Sequence, residues 1–167
     1  INGAKGMVLN AAGADRIIVP ARTSGDRSDK SGISLFLVNG DAPGLSRHDY
    51  KTYDGGRASE LELTDVAVSD ADLIGALDQG HDALEEIMDH GLAALCAEAV
   101  GVMEVLFEAT LEYLKTRKQF GRAIGEFQAL QHRMSDMYMS LENARSMAFA
   151  ATIALEGDDP DHRREEV

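Results

Sequence analysis

The sequence predicts an α+β fold: an antiparallel β domain followed by the long antiparallel helices of an up-down helical bundle. Three observations lead there. Many of the glycines and only short apolar runs fill residues 1–75, the apolar spacing lengthens to three or four after Gly80, and that spacing resumes after a short basic connection. In the first part, Met7 to Leu9, Ile17 to Val19 and Ile33 to Val38 are apolar runs bounded by turn signals, as short strands are. The stretch Ser59-Glu60-Leu61-Glu62-Leu63-Thr64 alternates, which puts Leu61 and Leu63 on one face of a half-buried strand and both glutamates on the other. Asn39-Gly40, Pro43-Gly44 and Asp54-Gly55-Gly56 supply turns, and the polar segment Ser24 to Gly32 reads as an exposed loop.

The second part, from residue 76, reads as two long helices. Leu84, Met88, Leu92, Leu95, Ala99, Val102 and Leu106 form one ridge, with a second beside it through Cys96, Val100, Met103, Phe107, Leu111 and Leu114. Gly91, Ala93, Ala94, Ala97 and Gly101 are small enough for another backbone to approach. The second helix carries Phe127, Leu130, Met134, Met137, Leu141, Ala144, Ala148, Ala151 and Leu155, and ends near Gly157 with Pro160 beyond. Each helix would be roughly 45 to 55 Å long at about 1.5 Å per residue. Two such faces exceed what an antiparallel pair can cover, so further chain or a second subunit is expected over the remainder. With Ile1 in place of an initiating methionine, the chain is read as a fragment.

Composition narrows the function classes. Sixteen Lys and Arg stand against 29 Asp and Glu, a net charge of −13 that repels nucleic acid and anionic membrane surfaces. Cys96 is the single cysteine, which excludes an intrachain disulfide and suits a reducing compartment. No stretch resembles a signal peptide or a membrane span, so a cytoplasmic protein is expected. His81, His90 and His132 stand apart without an evident partner at metal-ligand spacing, and no metal is assigned.

The connection between the helices is the informative segment. Lys115 to Gly125 gathers four of the 16 basic residues and has no carboxylate. Such a local field suits an anionic ligand such as a diphosphate, which Arg117 can grip through paired hydrogen bonds. Cations at a helix C-terminus also stabilise its dipole, by about 0.3 to 1 kcal/mol each, with no ligand involved. Phe120-Gly121, an aromatic residue in a polar connector followed by a flexible glycine, adds a group suited to packing on a ligand or another chain.

Arg117-Lys118-Gln119-Phe120-Gly121, followed by Ile124, Phe127-Gln128, Gln131-His132 and Asp136-Met137, is similar to the acyl-CoA dehydrogenase signature. The likeness runs through most of the chain. Ile1-Asn2-Gly3 with Lys5 and Asn10, then Ala14-Asp15, Gly32-Ile33-Ser34, Pro43-Gly44 and Thr64-Asp65-Val66, follow in the family's order. Ala94 to Gly101 also resembles the pimeloyl-CoA dehydrogenase small-subunit-like members.

The resemblance implies a middle β domain over residues 1–75 and a C-terminal helical bundle domain over 76–167. It also implies FAD lying between the two, with the interhelical turn reaching the dinucleotide of a neighbouring subunit. Arg117, Gln119 and Phe120 would contact its diphosphate or ribityl region, and Ile124, Phe127 and Gln128 the far end. Bundle core is an equal reading for Ile124 and Phe127, and a solvated or helix-pairing role remains open for Gln128. Met7 and Leu9 occupy positions where the family has an aromatic residue and a threonine near the isoalloxazine ring. A place in the strand core is the favoured reading for both, and Asn10 is either a polar contact or a turn residue.

The implied reaction is α,β-oxidation of an acyl-CoA thioester, with hydride passing to FAD and an electron-transfer flavoprotein-like acceptor downstream. A homo- or hetero-oligomer, dimer or tetramer, would complete the cofactor site. The catalytic base is expected beyond Val167. The alternative position on the first long helix holds Gly91, beside Leu92 in place of an arginine. Glu98 is the remaining local candidate, if burial raises its pKa. A catalytically silent partner subunit and a non-enzymatic helical assembly module stay open beside the dehydrogenase reading.

Overall fold

The computed structural model describes residues 1–157. Two compact units divide at Leu84/Glu85. The first holds six strands: β1 (Gly3–Leu9), β2 (Arg16–Arg22), β3 (Ile33–Asn39), β4 (Leu45–Lys51), β5 (Arg57–Leu63) and β6 (Leu73–Ile74). One antiparallel sheet has the order β1-β5-β4 and the other β2-β3-β6. The apolar runs fall within strands, and the alternating stretch does so as far as Leu63. Leu61 and Leu63 are buried while Glu60 and Glu62 face solvent, as the period of two requires. With Ala11, Ile17, Val19, Phe36, Val38 and Val66 these leucines form one core cluster drawn from both sheets.

The loop from Ser24 to Gly32 is exposed but tied at its base. Arg22, the last residue of β2, donates to the carbonyls of Ser24, Arg27, Asp29 and Ser31 over 2.7–3.3 Å. Strand β4 has no apolar run to announce it. Its sequence, Leu-Ser-Arg-His-Asp-Tyr-Lys, is that of an edge strand, and its register against β5 runs without a break from Leu45↔Leu63 to Lys51↔Arg57.

The β4–β5 turn is closed by Asp54, whose carboxylate accepts from the Thr52 hydroxyl and the Gly56 amide. These bonds, the hydroxyl first, hold the Asp54 carboxyl below the usual carboxylate range. A folded value below the unfolded one means stability present above the ordinary Asp pKa and lost as pH falls through the folded value. An NMR titration of the Asp54 carboxyl carbon is therefore expected to show a midpoint below that of an ordinary aspartate, returning towards the ordinary value in Thr52→Ala.

The second unit is built from helices α1 (Gly80–Thr116) and α2 (Gln128–Leu155), of 37 and 28 residues, with α1 beginning in the first unit. At about 1.5 Å per residue they are about 55 and 42 Å long. Pro160 lies outside the described residues. The helices run antiparallel: Glu104 meets Arg145 at 3.0 Å, and Phe107 packs on Tyr138 with ring centroids 5.7 Å apart. All nine residues of the predicted α2 ridge, from Phe127 to Leu155, are buried or half-buried.

On α1 the two ridges part company. Val100, Met103, Phe107, Leu111 and Leu114 are half-buried or buried, whereas Leu92, Leu95, Val102 and Leu106 are exposed. Cys96 is also exposed, although its neighbours in sequence are apolar. One partner helix covers one stripe, and the second stripe is left as an open apolar face.

Candidate functional site

The connection between the helices is an ordered hairpin. Strand β7 (Lys118–Gln119) pairs with β8 (Arg122–Ala123), matching Lys118 to Ala123 and Gln119 to Arg122, so Phe120-Gly121 is a two-residue turn. Both turn residues are left-handed, φ 52° at Phe120 and 82° at Gly121, the pattern of a turn that suits the twist of a hairpin. Glycine adopts it readily. A phenylalanine does so at a cost of about 1 to 2 kcal/mol, and strain of this kind is concentrated at functional positions. Phe120 is also 90% exposed, the outermost large apolar side chain of the hairpin.

Backbone hydrogen bonds seat the hairpin on α1, with Arg117 N–H donating to Tyr113 O and Ile124 N–H to Arg117 O, each at 2.9 Å. A turn of 3₁₀ helix over Ile124–Glu126 leads into α2. Gly125 lies so close to the end of α1 that an added Cβ would stand 3.0 Å from Leu114 O, which explains the glycine. Gln131 Nε2 donates to Gly125 O at 3.0 Å and pins the connection from the other helix. Beside it, Leu111, Leu114, Lys115, Ala123, Gly125 and Met134 line an apolar cavity of about 410 Å³.

The electrostatics bear on the two readings of the basic residues. Among the described residues no carboxylate is within ion-pair distance of Lys115, Arg117, Lys118 or Arg122. Lys115 lies in the last turn of α1, where the helix dipole accounts for it. The other three lie past the helix, in a protein of net charge −13 that has carboxylates in excess to pair with them. At the start of α2, Phe127 is the N-cap and has no side-chain acceptor for the first amides, so the positive end of that dipole is uncapped.

The predicted site residues separate into two groups. Arg117, Gln119, Phe120, Ile124, Phe127 and Gln128 all lie on the hairpin or the start of α2. Ile124 and Phe127 are half-buried, and Gln128 is exposed. Met7 and Leu9 belong to the other unit, and their strand-core reading is corrected: they are 67% and 68% exposed. The cause is a β-bulge. Lys5 pairs with Leu61 and Val8 with Ser59, leaving one extra residue in β1, and Met7 takes a left-handed φ of 54°. Its N–H donates to Glu60 Oε1 at 3.2 Å, the same oxygen that accepts from the Tyr50 hydroxyl at 2.8 Å. That hydroxyl is held above its ordinary pKa, chiefly by the bond to Glu60.

Glu98 is exposed, on a side of α1 that α2 does not cover. Gly91 has open space around it. In the first turns of α1 the ligand atoms of His81, Asp82 and Glu85 come within 4.8 Å of one another, a grouping that the spacing of histidines did not reveal. Acidic groups of this kind are common at helix starts, and no metal is assigned. Arg122, Gly125, Gln131 and Glu60 are read in the sequence without a site role of their own. Their roles depend on contacts with residues outside their own local pattern, which no spacing along the chain announces.

Residues 1–66 match the family model for the acyl-CoA dehydrogenase middle domain and residues 78–167 that for the acyl-CoA dehydrogenase C-terminal domain. The chain belongs to the acyl-CoA dehydrogenase family. It is 38% identical over 154 residues to the probable acyl-CoA dehydrogenase YngJ of Bacillus subtilis, covering 90% of this chain and 40% of that protein. It is 35% identical over 154 residues to the L-prolyl-[peptidyl-carrier protein] dehydrogenase of a Serratia strain, with the same coverage of 90% and 40%. Among solved structures, PigA with FAD and proline superposes with a TM-score of 0.90 at 33% identity, over 99% of this chain and 44% of that one. The chain thus spans about 40% of the length of the curated relatives it matches.

Proposed function

We propose that the protein carrying this chain is an FAD-dependent acyl-CoA dehydrogenase, oxidising an acyl thioester to its α,β-enoyl form. The observation that supports it most is the hairpin: three cations without a carboxylate partner among the described residues, beside a strained and exposed phenylalanine. These residues fit an anionic dinucleotide. Arg117 binds the diphosphate with paired charge-assisted hydrogen bonds, Gln119 adds an amide, and Phe120 lays an apolar ring against the adjoining carbons. Ile124, Phe127 and Gln128 line the far end. On the β unit, the bulge turns Met7 outward, and its polarizable thioether suits the edge of a flavin ring. Leu9 beside it offers no side-chain hydrogen bond.

Bound FAD supplies the hydride acceptor that no amino-acid side chain provides. Neither Gly91 nor Leu92 can accept a proton, so the base that removes the α-proton is assigned to a segment following Val167. The open apolar face of α1 is assigned to contact with further chain or with a second subunit in a cytoplasmic oligomer. The electron acceptor is of the electron-transfer flavoprotein type.

A second reading of the substrate rests on the likeness to the Serratia L-prolyl-[peptidyl-carrier protein] dehydrogenase, which acts on a carrier-protein-borne group in place of coenzyme A. The intact protein is expected to purify yellow or to take up FAD, and to be bleached anaerobically by its thioester. Bleaching by acyl-CoA supports the first reading, and bleaching only by an aminoacyl carrier protein supports the second. A colourless protein that cannot take up FAD overturns both.

A further inference from the structure

Phe120 faces a difficulty that its own turn does not solve. Its left-handed backbone is unfavourable for a β-carbon, and at 90% exposure it gains little from burial. One ring contact reaches it among the described residues: Phe127 lies edge-on, with centroids 6.1 Å apart and planes at 84°. Phe127 is itself covered, because the guanidinium carbon of Arg122 stands 4.3 Å from its ring centroid. Arg122 is also the cross-strand partner of Gln119. The order is therefore guanidinium, ring, ring, running from the second strand of the hairpin through the N-cap residue of α2 to the hairpin tip.

We propose that Arg122 is a positioning residue for the dinucleotide site: by stacking on Phe127 it sets the ring against which Phe120 is held. This rests on the FAD reading above. The stack adds a side-chain link between the hairpin and the start of α2, beside the hydrogen bond from Gln131 to Gly125. It also leaves Arg122 without an ion-pair role, consistent with the absence of a carboxylate beside it among the described residues. Arginine suits this place better than lysine, because a planar guanidinium lies flat on a ring while its edge stays hydrated.

The test uses the intact protein, with FAD binding followed by flavin fluorescence and apoprotein stability followed by thermal unfolding. Arg122→Ala is expected to weaken FAD binding about fivefold, the loss of one cation–π contact. Arg122→Lys is expected to recover most of it, and neither variant should lower the apoprotein midpoint appreciably. A double-mutant cycle with Phe127→Leu separates positioning from direct contact. Effects that fall well short of additive support action through Phe127, whereas additive effects overturn it.

Arg117→Ala serves as the reference. If it loses FAD while Arg122→Ala binds normally, this inference fails and the FAD reading stands. If both bind FAD as the parent does, the elbow is not part of the FAD site and the inference fails, whereas a parent that takes up no FAD overturns the FAD reading itself. Equal weakening in the alanine and lysine variants, with a lowered apoprotein midpoint, also overturns the positioning role.

Discussion

Replacing Arg117 with alanine in the intact protein is expected to weaken FAD binding by about 100-fold, the effect of losing two hydrogen bonds to a charged group at about 1.5 kcal/mol each. The substitution isolates ligand binding from folding. The elbow is held at Arg117 by main-chain atoms, its N–H on Tyr113 O and its carbonyl on the Ile124 N–H, which the change leaves in place. The side chain is exposed and, among the described residues, pairs with no carboxylate, so removing it leaves no buried group unsatisfied. Arg117→Lys keeps the charge but not the fork, and an intermediate loss of about tenfold is expected. Flavin retention equal to the parent's in the alanine variant would remove the cationic elbow from the binding site.

The second large effect is expected in the β unit. Leu61 is almost fully buried where residues of both sheets meet, and Leu61→Ala should cost about 3 kcal/mol through lost burial and the cavity left behind. For a unit of this size, with total stability on the order of 0.05–0.15 kcal/mol per residue, that is a large fraction. Glu62, the next residue and on the solvent face, is the control: Glu62→Ala should change stability by no more than about 0.5 kcal/mol. Denaturant midpoints of the two variants decide the matter. Similar small shifts in both would mean that the inward and outward faces of β5 are wrongly assigned.

Much of the architecture was legible because it follows from periodicity. The alternation from Ser59 to Thr64 and the three-and-four spacing of α2 each name a buried face, and every residue so named on α2 is covered. Strand β4 was not legible. Its residues are polar, and it is a strand because β5 offers an unpaired edge between two glycine turns. On α1 the spacing announced two apolar ridges but could not say which one meets α2, since both satisfy the same period.

The candidate site divides in the same way. The cations, Phe120-Gly121 and the family motif are written in consecutive residues, so the elbow and its diphosphate-binding character were readable from one segment. The exposure of Met7 and Leu9 was not, because an apolar run implies burial until a bulge rotates it, and that bulge exists only when β1 and β5 pair with one residue in excess.

From its sequence alone, this protein is determined to have a β unit, two long helices, a cationic elbow between them and the marks of its family. These are properties of neighbouring residues, and local sterics and hydrophobic spacing are enough to set them. Tertiary structure decided which ridge of α1 is covered, that Met7 faces outward, that Glu98 is exposed, and that Arg122 stacks on Phe127. Each of these depends on a contact between distant or cross-strand positions, whose energy exists only once the chain has folded and brought the partners together.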